Sequence, residues 1–284
     1  MTQTAPSLLL LIPAYNEEKR IEPVLREFAT YFRDNHAGRF QLVVVLNGCR
    51  DNTLGIVEKV GREFPSVSAL NFPAPIGKGG ALIEGLRLAT EPATQAELIG
   101  YVDADGATSP KTFHDLVKLV TDGVDCVIGS RWLPGAVLHQ TQTTMRRFVS
   151  RCFHFIVEAL FWMHFADTQC PGKVMRRAAA QKIHGDLRIS DLSFDVNLLY
   201  ALKRAGYKTK EVPIEWTDIA GSKVTQTLVR SSLVMFLSVV RLRFIHSPFH
   251  KMLRWLRPLE TWIYQILKAP PPRSGTEPAN GTKP

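Results

Sequence analysis

Short apolar runs alternate with amphipathic segments over the first 130 residues, and this alternation restricts the fold more than any other feature of the chain. The segments with helical periodicity cover residues 17–33, 52–64, 78–89 and 109–121. The apolar runs have the length of strands and cover residues 8–12, 41–46, 67–72, 98–102 and 126–129. Strands and helices that alternate at this spacing predict an α/β fold, in which a mostly parallel sheet is flanked by helices.

Polar loops follow four of the predicted strands. They contain residues 13–17, 47–51, 103–106 and 130–131. Sheets of this kind bind their ligands at the carboxyl ends of the strands. We therefore expect the four loops to converge on one edge of the sheet and to form a binding site there.

One of these loops carries two carboxylates, Asp103 and Asp105, directly after a buried strand. Side chains two residues apart on an extended backbone point to the same side, so both can face one point above the sheet edge. Carboxylate oxygens suit Mg²⁺ or Mn²⁺ that carries the phosphates of a substrate. The alternative is that the pair caps a turn and the helix beyond it.

The composition restricts the class of partner. The 284 residues have a formal net charge of +9, which favours nucleic acid, a phosphorylated substrate or an anionic membrane. No nucleic-acid-binding module is recognisable, so we expect no nucleic acid partner. Dinucleotide-binding, P-loop, hydrolase-elbow and zinc-protease motifs are missing as well. The four cysteines have no metal-binding spacing and are expected to be free thiols.

Eight ordered motifs resemble those of inverting family 2 glycosyltransferases with the GT-A fold. Four of them, Pro-Ala-Tyr-Asn-Glu, Asn-Gly-Cys-Arg-Asp-Asn-Thr, Ile-Gly-Lys-Gly-Gly-Ala and Asp-Ala-Asp-Gly-Ala-Thr, begin at residues 13, 47, 76 and 103. The other four, at 129–131, 167–170, 194–196 and 221–223, resemble the branch that contains dolichyl-phosphate glucosyl- and mannosyltransferases. The resemblance extends over roughly residues 8–245 and keeps the order of the motifs.

The resemblance implies an enzyme that moves a hexose from a nucleotide-sugar donor onto a polyprenyl phosphate, dolichyl or undecaprenyl, with inversion. It implies Mg²⁺ or Mn²⁺ as cofactor, bound by Asp103 and Asp105. The residues expected to bind the donor are Pro13, Tyr15, Glu17, Asn47, Lys78 and Asp103.

Two departures from the family pattern bear on the substrate and on activity. Asn47 stands where many relatives carry an aspartate, and Ala107 stands where mannosyl relatives often carry a glutamine. The second departure favours transfer of glucose from UDP-glucose. The alternatives are a GDP-mannose-dependent enzyme and a nucleotide-sugar-binding protein without turnover.

The acceptor side needs positive charge rather than a general base, because a phosphomonoester is largely a dianion at neutral pH. Arg131, directly after a predicted strand, is the first candidate to hold this phosphate. Further candidates are Arg146, Arg147, Arg151 and Lys223. For the three helical arginines the alternative is a solvated helix face.

Four residues are expected to take part in the reaction itself: Asp105, Arg131, Gln169 and Asp195. By resemblance Asp195 occupies the family's base position, and with a phosphate acceptor we expect it to orient rather than to accept a proton. Its alternative role is the negative charge in the first turn of its helix. Gln169 either approaches the sugar or the acceptor phosphate, or is a buried hydrogen-bonding side chain.

The C-terminal region has a different pattern. Helices are predicted at 146–165, 194–205, 225–244 and 251–268, with a strand at 208–213. Residues 224–268 contain seven Lys or Arg and one acid. Basic amphipathic helices of this kind lie in membrane interfaces, where Trp255, Trp262 and Tyr264 would reach headgroup level. Packed helices of a soluble subdomain, or a dimer interface, are the alternatives.

These patterns predict three parts of the chain. They are a GT-A domain at 1–224, C-terminal amphipathic interfacial helices at 225–268 and a disordered tail at 269–284. The protein is expected on the cytoplasmic face of an anionic membrane as a peripheral protein, with homo-oligomer formation left open. Trp132, Trp162 and Trp216 are expected in the core rather than as platforms on which a sugar stacks.

Overall fold

The computed structural model describes residues 5–139, 144–217 and 228–247. The described strands are β1 (Leu8–Ala14), β2 (Phe40–Asn47), β3 (Val67–Phe72), β4 (Leu98–Tyr101), β5 (Cys126–Ser130), β6 (Val137–Leu138), β7 (Lys173–Arg176), β8 (Thr209–Pro213) and β9 (Glu215–Trp216). Seven of them form one sheet with the order β3-β2-β1-β4-β7-β5-β8, and β6 pairs with β9.

Helices connect most of these strands. The described α-helices are α1 (Ile21–Asn35), α2 (Thr53–Glu63), α3 (Lys78–Arg87), α4 (Pro110–Lys118), α5 (Thr144–Phe161), α6 (Arg177–Ile183), α7 (Phe194–Arg204) and α8 (Leu228–Ile245). Short 3₁₀ turns follow α3 and α6.

Apolar side chains on the two faces of the sheet form two cores. All seven residues of β1 are buried, and they alternate between the faces: Leu9 packs into one core and Leu10 into the other. Helices α1, α2 and α4 cover the second of these cores, and α3 together with α5 to α8 covers the first. A sheet that is covered on both faces requires nearly continuous apolar strands. The predicted α/β sheet flanked by helices is confirmed.

Strand β7 was not predicted. It lies between β4 and β5 and runs antiparallel to both, whereas the other pairs in the sheet are parallel. The strand is only four residues long and begins with Lys173, so it lacks the apolar run that marks the other strands. Gly100 of β4 permits the close approach, because a Cβ there would lie 2.6 Å from the Lys173 carbonyl oxygen.

Two helix boundaries differ from the predictions at places that matter for function. Helix α1 begins at Ile21 instead of residue 17, because residues 15–20 form turns in which Asn16 adopts a φ of 53°. Helix α5 ends at Phe161 instead of residue 165, and Trp162 follows it with a φ of 50°. The expectation that Trp162 lies in the core is wrong, since it is 66% exposed, whereas Trp216 is buried as expected.

The predicted C-terminal helix at 225–244 corresponds to α8, which is described from Leu228 to Ile245. The predicted helix at 251–268, the tail and Lys223 lie outside the described residues. Among the helices that the structure describes, none combines the length and the apolar character needed to cross a bilayer.

Candidate active site

A cavity of about 250 Å³ opens at the carboxyl ends of β1, β2 and β4. Its walls are formed by Pro13, Ala14, Tyr15, Glu17, Arg20, Asn47, Lys78, Asp103, Ala104, Asp105 and Leu192. All seven residues that the sequence assigned to the donor or the metal therefore meet in one place. Arg20 and Leu192 were not foreseen. We call this space the donor cavity.

Asn47 organises the floor of the donor cavity through its side-chain oxygen. This Oδ1 atom accepts hydrogen bonds from the backbone N–H groups of Ile76 at 2.6 Å and Gly77 at 3.0 Å. Gly77 has a φ of 82°, a conformation that favours glycine, and it directly precedes the first residue of α3, Lys78. The asparagine thus anchors the turn that points Lys78 into the cavity.

The loop before α1 is tied to the loop before α2. The Glu17 N–H donates to the Thr53 hydroxyl at 2.9 Å, and the Arg50 N–H donates to the Asn16 side-chain oxygen at 2.7 Å. Arg20 donates to the Glu17 carboxylate at 2.8 Å. These bonds explain why residues 15–20 stay in turns, and they fix Glu17 in the wall of the cavity.

Asp103, Asp105 and Lys78 form the charged centre of the donor cavity. The Lys78 ammonium lies 2.6 Å from Asp103 Oδ1, and Asp105 Oδ1 accepts a hydrogen bond from the Ala107 N–H at 3.0 Å. Burial, and next the charge of Asp103, raise the pKa of Asp105 above its usual range. Burial acts to lower the pKa of Lys78, but the neighbouring carboxylates, Asp103 first and Asp195 next, raise it above its usual range.

Asp103 and Asp105 repel each other, and the single positive charge of Lys78 compensates only part of this repulsion. A pair of carboxylates in this state suits a divalent cation. Among the described residues no group of three or more His, Cys, Asp or Glu side chains could enclose a metal ion. Mg²⁺ typically uses one or two carboxylates and takes its other ligands from water and substrate phosphates. Asp103 and Asp105 therefore fit a cation that arrives with, or is completed by, a diphosphate.

A buried network lies behind this centre. Asp195, in the first turn of α7, is one of the predicted catalytic residues and lines neither the donor cavity nor the cavity described below. Its Oδ1 atom accepts hydrogen bonds from the Tyr101 hydroxyl at 2.5 Å and from the Lys173 ammonium at 2.6 Å. Burial, followed by the charge of Asp195, raises the pKa of Tyr101 well above its usual range.

Arg131 is engaged by a carboxylate, Asp167, whose motif was recognised in the sequence but which had no role assigned to it. Its Nε and Nη2 atoms donate to the two oxygens of Asp167 at 2.7 and 3.0 Å, and its backbone N–H donates to the same side chain at 3.1 Å. The guanidinium also lies over the Trp216 ring, 5.1 Å from its centroid. The pair of parallel N–H groups expected to hold a phosphate is therefore occupied by Asp167.

A second cavity of about 130 Å³ borders Asp167. It is lined by Trp132, Ser150, Arg151, Phe153, His154, Ala166, Asp167, Thr168 and Gln169. Gln169 Nε2 and His154 Nδ1 are buried without a hydrogen-bond partner among the described residues, and Arg151 lies 5.5 Å from the Trp132 ring centroid. We call this space the Asp167 cavity. The side chains of Arg146 and Arg147 lie outside the described part of the chain.

This architecture is the GT-A class of glycosyltransferase fold. Glucosyl-3-phosphoglycerate synthase of Mycobacterium tuberculosis has a similar structure, with a TM-score of 0.63, 18% identity and coverage of 86% of this chain and 82% of that one. That enzyme was crystallised with Mn²⁺, UDP and glucosyl-3-phosphoglycerate, and in another crystal with Mg²⁺ and UDP.

The chain belongs to glycosyl transferase family 2, whose sequence profile matches residues 10–184. Similar proteins include a dolichyl-phosphate beta-glucosyltransferase of Trichomonas vaginalis, which is 33% identical over 75% of this chain and 65% of its own length. The enzyme of that name from Drosophila melanogaster is 33% identical over 78% and 71%, and the human one is 29% identical over 84% and 76%. The chain thus spans just under two thirds of the first of these relatives.

Proposed function

We propose that this chain is an inverting hexosyltransferase that moves glucose from UDP-glucose onto a polyprenyl phosphate. The observation that carries the proposal is the donor cavity, in which Lys78, Asp103 and Asp105 meet at the carboxyl edge of the sheet. The dolichyl-phosphate beta-glucosyltransferases to which the chain is similar support the choice of sugar and acceptor.

The charged centre suits the departure of a nucleoside diphosphate. Negative charge develops on the diphosphate as the glycosidic bond breaks, and a divalent cation held by Asp103 and Asp105 would act there as a Lewis acid. Lys78 sits at the first residue of α3, where a helix N-terminus also attracts phosphate. The side chain of Tyr15 is exposed at the rim of the cavity, where it offers an aromatic surface to the uracil base of the donor.

We place the acceptor phosphate in the Asp167 cavity. Arg151 supplies a cation there, and the unpartnered Gln169 Nε2 supplies a donor. Arg131 shapes this site by holding Asp167, which fixes the backbone of the Gln169 segment: the Gln169 N–H donates to Asp167 Oδ1 at 3.1 Å. A phosphate oxygen attacks the sugar carbon without prior deprotonation by the protein.

The proposal is tested with radiolabelled nucleotide sugars and short-chain polyprenyl phosphates. Transfer from UDP-glucose above all other donors is the expected result. Preferred transfer from GDP-mannose would change the assignment to a mannosyltransferase. Binding of the nucleotide sugar without transfer to any acceptor would make the chain a binding protein.

UDP is expected to stabilise the protein only together with the cation. At one hundred times its Kd a ligand contributes about 2.7 kcal/mol, which corresponds to about 5 °C in Tm for a chain of this size. Thermal unfolding with UDP in Mn²⁺ should show this rise, and the same nucleotide in EDTA should not. Lys78→Met should reduce the rise, whereas Lys118→Met, an exposed lysine of α4, should leave it unchanged. An equal rise in EDTA would contradict the metal assignment.

We also propose that the protein lies on an anionic membrane through α5 and α8. Phe155 and Trp162 on or after α5 are 71% and 66% exposed, and Leu233, Phe236 and Phe244 of α8 are also exposed. At about 100° per residue the three α8 side chains form one stripe, with Arg241 and Arg243 on either side of it. Arg243 lies over the Trp162 ring at 5.8 Å, so the two helices present one surface.

Replacing Phe155 and Phe236 with serine is expected to weaken binding to anionic vesicles at least about tenfold, since each buried phenylalanine contributes roughly 1.5–3 kcal/mol. Co-sedimentation with phosphatidylglycerol vesicles measures this. Val137→Ser with Leu138→Ser removes two other exposed apolar side chains, on β6, and serves as the control. Equal vesicle binding by the two double variants would contradict the membrane surface.

A further inference from the structure

An ion pair buried behind the donor cavity is left unexplained by the proposed reaction. The side chains of Lys173 and Asp195 are 0% and 4% exposed, and their charged atoms lie 2.6 Å apart. Lys173 also donates to the Cys170 carbonyl oxygen and lies 5.6 Å from the centroid of the Tyr101 ring. The ammonium therefore has two hydrogen-bond acceptors and an aromatic ring as neighbours inside the protein.

The network joins three elements that meet beneath the cavity. Tyr101 ends β4, two residues before Asp103; Lys173 begins β7; and Asp195 lies in the first turn of α7. The Tyr101 hydroxyl and the Lys173 ammonium both donate to one oxygen of Asp195, so two hydrogen bonds hold this oxygen in place.

Stability alone is a weak reason for such a pair. The desolvation of two buried charges largely cancels their attraction, and apolar replacements of similar volume are often neutral or stabilising. Electrostatic interactions between a buried charge and its neighbours are nevertheless strong, because the effective dielectric constant inside the protein is low. Asp195 is one of the carboxylates that raise the pKa of Lys78, so its charge reaches the donor cavity.

We propose that Lys173 is a positioning residue for sugar transfer: together with the Tyr101 hydroxyl, it holds the carboxylate of Asp195 in one orientation behind Lys78 and Asp103. This inference rests on the proposed function. Lys173 lines neither cavity, so it acts on the reaction through its neighbours, of which Asp195 is the charged one. Its loss should lower kcat while the KM for the nucleotide sugar and the affinity for UDP change little.

A double-mutant cycle separates positioning from support of the fold. Lys173→Met and Asp195→Asn each leave one buried partner uncompensated, and each should lower Tm. The double variant Lys173→Met/Asp195→Asn contains no orphaned charge and should recover most of the lost Tm. Its kcat should remain at least about fiftyfold below that of the wild type. Tyr101→Phe removes one of the two donors and should lower kcat about tenfold with a small change in Tm.

Lys210→Met, at an exposed strand lysine of β8, is the matched control and should behave as the wild type. A wild-type kcat in Lys173→Met or in Tyr101→Phe would overturn the inference, and so would recovery of both Tm and kcat in the double variant. Those results leave the proposed function intact, because the wild type remains active. A wild type that binds UDP with Mn²⁺ but transfers no sugar would overturn the proposed function and this inference with it.

Discussion

Replacing Asp105 with asparagine is expected to lower the rate of sugar transfer by about a thousandfold, or about 4 kcal/mol in the activation free energy. The amide keeps the shape of the side chain and one oxygen, but it removes a charge that a divalent cation needs. Burial and the neighbouring Asp103 raise the pKa of Asp105, so we expect the loss of this charge to leave Tm nearly unchanged. The measurement is the initial rate of transfer from UDP-glucose at saturating Mn²⁺, with Tm recorded for the same protein.

Asp115→Asn is the control for this variant. Asp115 lies on α4, where it is half exposed and paired with Lys111 and Lys118. Pairs of this kind contribute at most about 1 kcal/mol, so the control should retain the wild-type rate. Unchanged activity in Asp105→Asn would show that Asp105 does not bind the metal. It would also contradict the main argument for nucleotide-sugar binding in the donor cavity.

Replacing Asp167 with asparagine is expected to lower the free energy of unfolding by about 3–5 kcal/mol, because the buried guanidinium of Arg131 would lose its partner. The Arg131 side chain is 11% exposed and that of Asp167 is 2% exposed. The charge of Arg131 also lowers the pKa of Asp167 against the effect of burial. Denaturant unfolding measures the loss.

An exposed pair of the same residue types is available for comparison. Arg33 donates to Asp34 at 2.8 Å, with both side chains more than half exposed, and Asp34→Asn should lower the free energy of unfolding by less than about 1 kcal/mol.

Arg131→Lys should lose the two parallel hydrogen bonds to Asp167 and slow transfer to the polyprenyl phosphate while UDP binding survives. Loss of UDP binding in Arg131→Lys would place Arg131 on the donor side instead.

The donor cavity was predictable from the sequence because its residues follow strands. Asp103 and Asp105 come directly after a buried apolar run, and Asn47 and Pro13 end runs of the same kind. Parallel strands place their carboxyl ends along one edge, so strand positions alone bring these residues together. Tyr15, Glu17 and Lys78 belong to motifs that adjoin the same strand ends, and the structure lines one cavity with all of them.

The partners of the predicted catalytic residues were not predictable in this way. Arg131 was expected to face a phosphate, but a carboxylate 36 positions along the chain occupies its two parallel donors. Asp167 stood in a recognised motif without an assigned role. The spacing of the motifs along the chain did not predict that Asp167 would contact Arg131. Trp162 is exposed because α5 ends just before it. The end of α5 depends in turn on its contact with α7, where Lys203 donates to the Phe161 carbonyl oxygen at 3.1 Å.

The sequence by itself determined the α/β alternation, the loops at the carboxyl edge and the family, because hydrophobic periodicity and short motifs are local properties of the chain. Only the tertiary structure decided that β7 enters the sheet antiparallel between β4 and β5. That strand is too short and too polar to carry its own signal, and the neighbouring strands determine its place. Its insertion buries Lys173 against Asp195, 22 residues away, and Tyr101 reaches the same carboxylate from 94 residues away. Buried charged groups need hydrogen-bonding or ionic partners, and these partners come from distant parts of the chain. A local sequence pattern therefore does not predict such pairings.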